Sequence, residues 1–288
     1  MTNLQWLSLN ANGLTNLTPL TNLTRMIWMT MQSNYVSNVS PLAHFTNLYY
    51  GLDLSANLIT DPSPLTNLHA LTSLSLWQNQ LTTLPSLVGL ANVTSLDFHG
   101  NQLTNGTGFS GMTQLTWLSF AQNRFTSAPA LTGLPNLNTL DLSGNQLSDL
   151  TALANLTSLN NLYLYRNDLA NIHPLTSLIH LNYVDLTYNW LDTTPGAAAL
   201  TDIATLQSQN TGVNYLPQNS LLLAGPSLSG TKHFQFSIYS PAGNVLQVSR
   251  SSDLHSWSSL GNFTNTGGTN LFTDTNAATG KYFYRAQQ

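Results

Sequence analysis

Over the first two-thirds of the chain, apolar and polar positions repeat with a period of 22 residues, and one polar residue marks the beat. Asn12, Asn34, Asn57, Asn79, Asn101, Asn123, Asn145, Asn167 and Asn189 are spaced by 22, apart from one step of 23 between Asn34 and Asn57. Apolar residues stand three and five positions ahead of each, as in Leu7 and Leu9, Met29 and Met31, Leu74 and Leu76, Leu96 and Phe98, and Leu162 and Leu164. Another follows two positions after: Leu14, Val36, Ile59, Leu81, Leu103, Phe125, Leu147, Leu169 and Leu191. The alternation ahead of each Asn predicts a short strand with its apolar residues inward, and equivalent strands ~4.8 Å apart stack into a parallel sheet. A buried Asn amide at the turn that follows would satisfy backbone groups that no strand partner reaches. On the way back, Pro19, Pro41, Pro64 and Pro174 each precede a leucine (Leu20, Leu42, Leu65, Leu175). Proline there predicts an irregular or 3₁₀ return rather than a long helix. Each coil then buries its leucines only against its neighbours.

The motif LxxLxLxxN occurs nine times, with substitutions such as Tyr49 and Val93 in its first position. In this the chain resembles the bacterial leucine-rich-repeat proteins with 22-residue repeats, the internalin type. The resemblance implies a solenoid with a concave parallel sheet and an irregular convex side, used as a scaffold for binding protein. The solenoid is expected over residues 1–218, nine repeats closed by a cap at 197–217. In that cap, residues 197–207 read as an amphipathic helix with Leu200, Ile203 and Leu206 inward, and Val213 to Leu216 as a last short strand before Pro217. No cap precedes the first repeat, so Met1 is read either as not the natural start, with the export signal lost in a truncated N-terminus, or as an edge that another chain covers.

From about Ser220 the period vanishes, and residues 219–288 read as a small all-β module. Phe234, Phe236 and Ile238 alternate with polar residues, residues 240–244 form a turn, and Val245 to Ser249 make the next strand. Leu254, Trp257, Leu260 and Phe263 are expected to continue the core, with later strands near Leu271-Phe272 and Tyr282-Phe283-Tyr284. The run Ser252-Asp253-Leu254-His255-Ser256-Trp257, together with Phe272-Thr273-Asp274 and Tyr282-Phe283-Tyr284-Arg285, resembles the β-sandwich tails of secreted proteins of environmental bacteria. That resemblance implies export or surface attachment, not a chemistry.

Composition narrows the function. Only 6% of the 288 residues are charged, with no Glu and a net charge of −4, while 42% are hydrophobic. Such a surface offers nothing basic enough to grip a phosphate backbone, so no nucleic-acid partner is expected. The absence of cysteine removes disulfides, thiolate metal sites and cysteine nucleophiles together. No apolar run approaches the roughly 20 residues of a membrane span. Gly106-Thr107-Gly108-Phe109-Ser110-Gly111 matches GxGxxG, yet it falls on the return side of the fifth repeat with no acidic residue at the required distance. His44, His69, His99, His173, His180, His233 and His255 show no metal-ligand spacing, and no GxSxG elbow occurs. The chain reads as a non-enzyme without metal or cofactor. Sequons such as Asn16-Leu17-Thr18 and Asn155-Leu156-Thr157 follow from the repeat consensus and are not read as glycosylation sites.

The specific signal lies on the open face of the sheet. Three columns point there. The first reads Trp6, Trp28, Gly51, Ser73, Ser95, Trp117, Thr139, Asn161, Tyr183; the second Ser8, Thr30, Asp53, Ser75, Asp97, Ser119, Asp141, Tyr163, Asp185; the third Asn10, Gln32, Ser55, Trp77, His99, Ala121, Ser143, Tyr165, Thr187. Trp6, Trp28, Trp77 and Trp117, with Trp190 at the edge, place five of six tryptophans on this side, where uncovered rings are costly unless a partner meets them. Tyr163, Tyr165, Tyr183, Tyr188 and Trp190 crowd the last two repeats beside Arg166, Asp168 and Asp185. Aromatic anchors with an Arg are what binding hot spots are made of. The candidate site is therefore Trp6, Trp28, Trp77, His99, Trp117, Tyr163, Tyr165, Arg166, Tyr183, Asp185, Tyr188 and Trp190. Asp53, Asp97, Asp141 and Asp185 recur every second repeat, which keeps like charges off adjacent strands. They read as a tolerated feature of a duplicated two-repeat unit, or as a polar ladder for a glycan or cation. The expected ligand is an extracellular protein. A glycan bound by the same face, and a spacer that binds nothing, remain the other readings.

Overall fold

The structure is a computed structural model that describes residues 3–218, 222–228, 234–239, 245–264, 269–275 and 282–287. Nine three-residue strands lie side by side in chain order: β1 (Trp6–Ser8), β2 (Trp28–Thr30), β3 (Gly51–Asp53), β4 (Ser73–Ser75), β5 (Ser95–Asp97), β6 (Trp117–Ser119), β7 (Thr139–Asp141), β8 (Asn161–Tyr163) and β9 (Tyr183–Asp185). A tenth, β10 (Gly212–Asn214), pairs with β9, and every pairing in this sheet is parallel. The register keeps each column in line: Trp6 opposes Trp28, Leu7 opposes Met29, and Asp97 opposes Ser119. Because side chains alternate across a strand, the middle residue of each enters the core and its neighbours face out.

The consensus asparagines stitch the coils together. Asn123 Nδ2 donates to the Phe120 carbonyl of its own coil (3.0 Å) and to the Phe98 carbonyl of the coil before (2.9 Å). Its Oδ1 accepts the Leu103 N–H, also of the preceding coil, at 2.9 Å. The same three bonds recur at Asn34, Asn57, Asn79, Asn101, Asn145, Asn167 and Asn189, all of them buried. To aim the amide inward, the residue before each Asn turns left-handed. Ala11, Ser33, Ala56, Gln78, Gln122, Arg166 and Tyr188 adopt φ of 51–58°, and Gly100 and Gly144 fill the same place. Non-glycine residues in that region are strained, which the amide bonds offset.

The proline-bearing returns are 3₁₀ turns as expected, at Thr18–Leu20, Ser40–Leu42, Ser63–Asn67 and His173–Ser177. Each is started by a side-chain oxygen two residues earlier: Asn16, Asn38, Asp61 and Asn171 accept the N–H of Thr18, Ser40, Ser63 and His173 at 2.9 Å. The Asn16 sequon is thus a turn cap repeated down a column. At Asp61, donation from the Ser63 hydroxyl and N–H holds the carboxyl below its ordinary range. Residues 106–111 form no helix; Phe109 is buried against Phe120, and Gly108 sits at φ +95° where a Cβ would lie 2.5 Å from the Pro85 carbonyl oxygen. This glycine serves close backbone packing.

After β9 comes one α-helix, α1 (Ala198–Ser208), which buries Ala199, Asp202, Ile203 and Leu206. Two details depart from the sequence reading: Leu200 is only half-buried, and the polar Asp202 takes an inward place. Asp202 is tolerated there because His173 Nδ1 meets its carboxylate at 2.9 Å.

The remaining strands form two three-stranded antiparallel sheets. One holds β11 (Leu222–Leu228), β12 (Phe234–Tyr239) and β15 (Thr269–Asp274); the other holds β13 (Val245–Ser251), β14 (Ser258–Thr264) and β16 (Phe283–Gln287). Phe236 and Ile238 from the first pack with Leu246 and Val248 from the second, and the Phe234 and Tyr284 rings stack at 4.5 Å. Buried Asp274 on β15 receives Arg250 of β13 (2.7 Å) and the Tyr284 hydroxyl of β16 (3.0 Å), an ion pair joining the two sheets. Leu254, expected in the core, is 54% exposed. The Asp253 carboxylate draws the chain into a turn by accepting the His255 and Ser256 N–H groups, which swings Leu254 outward. The turn expected at 240–244 and His233 lie outside the described residues.

Candidate ligand-binding face

The three outward columns stand where the repeat places them. Trp6, Trp28, Trp117 and Tyr183 occupy the first, Tyr163 and Asp185 the second, and Trp77, His99 and Tyr165 the third. None is buried: Trp6 is 54% exposed and the others are half-exposed. Arg166, Tyr188 and Trp190 lie beside the consensus asparagines of the last two coils, beyond the strands, at one edge of the face.

The rings gather in separate groups along the face. At one end Trp6 contacts Trp28 (centroids 5.7 Å apart) and stacks on Tyr50 (5.4 Å, 26° between planes), with Tyr49 edge-on to Tyr50. Tyr49 and Tyr50 are each 53% exposed and were not legible as site residues in the columns. The signal that could have found them is the single 23-residue step, whose extra residue lies ahead of β3 and lets Tyr50 lean over towards Trp6. Near the middle, Trp77 and His99 meet edge to face at 6.5 Å. At the other end Tyr163 packs against Tyr183 at 5.7 Å, and burial pushes the Tyr183 hydroxyl above its ordinary pKa. The edge group is distinct. Arg166 lies 5.6 Å from the Tyr188 ring centre, the Trp190 indole N–H reaches Asp168 at 3.2 Å, and Asn145, Arg166, Asn167, Asp168 and Tyr188 line a cavity of about 320 Å³. Burial raises the Asp168 carboxyl, against the indole bond that lowers it.

Each of the four central carboxylates is tied to its own coil, not to hydroxyls of the adjacent strand. Oδ1 accepts the N–H two residues on, from Ser55, His99, Ser143 and Thr187, each at 2.9 Å. Ser55, Ser143 and Thr187 add their hydroxyls; His99 has none to add. Asp97 is raised, by burial first, with Asp141 and Asp53 adding to the rise and the His99 N–H opposing it. Among the described residues, no group of three or more His or Asp side chains is placed to share a metal ion.

A family profile described as Leucine Rich repeats (2 copies) matches residues 113–155. Among solved structures, the internalin InlF of Listeria monocytogenes aligns over 76% of this chain and 62% of its own, at 30% identity and a TM-score of 0.67. The chain carries leucine-rich repeats, and its fold is similar to that of the internalins. Internalin C2 of the same organism covers 73% of this leucine-rich-repeat chain and 80% of its own, at 27% identity and a TM-score of 0.52. InlJ, whose functional domain includes a cysteine ladder, shares the fold at 23% identity, covering 76% of this chain and 54% of its own with a TM-score of 0.55. The present chain has no cysteine with which to build such a ladder. It spans less than two thirds of the InlF chain. No curated protein matches it in sequence. No helix among the described residues is long and apolar enough to cross a membrane.

Proposed function

We propose that this leucine-rich-repeat protein is a non-catalytic binder that recognises an extracellular protein through its concave sheet. The observation that carries the reading is the row of uncovered aromatic rings on that face, from Trp6 and Tyr50 to Tyr163 and Tyr183. Rings left open to water lose little conformational freedom on binding and gain much from being covered, so they act as anchors. The internalin-type repeats and the secreted-type tail support a place outside the cell, free or surface-attached. A glycan reading draws on one observation: the near-parallel, exposed Trp6 and Tyr50 rings match the apolar face of a sugar.

Immobilised wild-type chain and the variant Trp77→Ala/Trp117→Ala/Tyr165→Ala, exposed to host or environmental extracts and to a glycan array, separate these readings. The expected result is capture of a protein by wild type and loss of at least about tenfold in the variant, whose melting should stay close to wild type because none of the three rings is buried. Equal capture by the variant removes the central face as the site. Capture on the array alone replaces protein by glycan.

A further inference from the structure

Apart from Trp6 on β1 and Tyr183 on β9, aromatic residues and central-column acids on the concave face alternate coil by coil. Even-numbered coils present rings: Trp28 on β2, Trp77 just past β4, Trp117 on β6, and Tyr163 and Tyr165 on and just past β8. Odd-numbered coils from the third onward present a carboxylate in the central column, at Asp53, Asp97, Asp141 and Asp185. No Lys or Arg stands in any of the three columns, and the solenoid's Arg25, Arg124 and Arg166 all lie outside the strands.

Local structure does not require these charges. On β6 the Ser119 hydroxyl accepts the Ala121 N–H at 3.3 Å, the same turn bond that Asp97 makes to His99. In Asp53, Asp97 and Asp141 the local bonds converge on Oδ1, and no donor among the described residues reaches Oδ2. A file of carboxylates with no Lys or Arg in its columns, and only His99 acting on Asp97 in the opposite sense, costs the free protein stability. Set between exposed rings, it is a face suited to cations, which gain from carboxylates and aromatic faces together.

Spacing sets the form of the ligand. Acids on every second coil are about 9.6 Å apart, twice the ~4.8 Å strand separation. A polyproline II helix has three residues per turn and rises ~3.1 Å each, so every third residue returns to one side after about 9.3 Å. A β-strand would send its third residue to the opposite side. We propose that the bound segment of the partner is an extended, proline-rich stretch with Lys or Arg at every third position, lying along the solenoid axis. Its cations meet Asp53, Asp97, Asp141 and Asp185, and the intervening residues pack on Trp77, Trp117 and Tyr163, the way such helices use aromatic grooves. The inference rests on the concave face being the binding surface.

The test uses the full chain and three labelled synthetic peptides of equal length, followed by fluorescence anisotropy. One repeats Pro-Pro-Lys, one has the same composition with its lysines in a block, and one replaces each Lys by Gln. The Pro-Pro-Lys peptide is expected to bind about tenfold or more tighter than the other two, and to weaken as salt is added. Asp97→Asn/Asp141→Asn keeps the Oδ1 acceptor and so the turn; it is expected to reduce that affinity about tenfold and leave the Gln peptide unaffected. Equal binding of the three peptides, indifference to the double substitution, or no binding of the Pro-Pro-Lys peptide overturns the inference. If the peptides fail while protein capture still depends on Trp77, Trp117 and Tyr165, only the basic-ligand inference falls; if capture is also indifferent to those rings, the concave-face reading falls with it.

Discussion

Asn123→Ala is expected to destabilise the solenoid by about 2–3 kcal/mol, because three backbone groups lose a bond and one of them is left unsatisfied, at about 1–3 kcal/mol for a buried group. The orphan would be the Leu103 N–H; the Phe98 and Phe120 carbonyls each lose one donor but keep a second, from Asn101 and Asn145. Two of the three belong to the preceding coil, so the damage falls on the interface between coils, where a solenoid holds its stability. Among the described residues Asn12, at the start of the series, makes no such bridge to an earlier coil; its amide donates to the Asn10 carbonyl. Asn12→Ala is therefore the internal control, with a far smaller effect. Urea unfolding followed by circular dichroism checks both, and equal losses at the two positions would contradict the ladder.

Phe120→Ala is expected to cost about 3–5 kcal/mol, the range for removing a fully buried phenyl ring. Phe120 is completely buried and touches three other rings: Phe98 stacked at 5.7 Å, Phe109 edge-on at 5.6 Å and Phe125 at 5.0 Å. These rings fill the fifth and sixth coils, whose returns carry no 3₁₀ helix, in contrast to the coils with Pro19, Pro41, Pro64 and Pro174. Gly106 belongs to the same packing, since a Cβ there would lie 3.2 Å from the Phe120 ring. Denaturant midpoints of wild type and variant measure the loss; a change below about 1 kcal/mol would mean that the cluster is loosely packed.

What was legible in the sequence is what the period dictates. Each consensus Asn fixes the phase of its coil, and phase alone decides that Leu118 is buried while Trp117 faces out. The 3₁₀ returns followed from proline at Pro19, Pro41, Pro64 and Pro174, because the ring suits the first residues of a tight turn. Where the period broke, reading failed. Tyr50 owes its stacking on Trp6 to the one repeat of 23 residues, and a column-by-column reading passes over an inserted residue. Asp202 reads as a surface acid until the fold brings His173 to it from the coil before.

In the C-terminal segment β11 was missed because Gly225-Pro226 reads as a turn. The strand accepts that pair through a register shift between Ala224 and Ser227, a bulge that relieves the proline of a ladder bond. Among the candidate residues, the columns placed the sheet rings on the outward face, but only coordinates separate the Tyr163–Tyr183 pair from the Arg166–Tyr188 edge group. The central acids show the same limit. Sequence spacing revealed their alternation, while the bonds that pin Oδ1 and leave Oδ2 open depend on turn geometry.

The binding role rests on tryptophan facing solvent along the hollow side of the coil. Acrylamide quenching of intrinsic fluorescence tests this directly, since none of the six tryptophans is buried. A linear quenching plot with solvent-like emission from the folded chain is the predicted result. A downward-curving plot with blue-shifted emission, revealing a shielded tryptophan population, would contradict it.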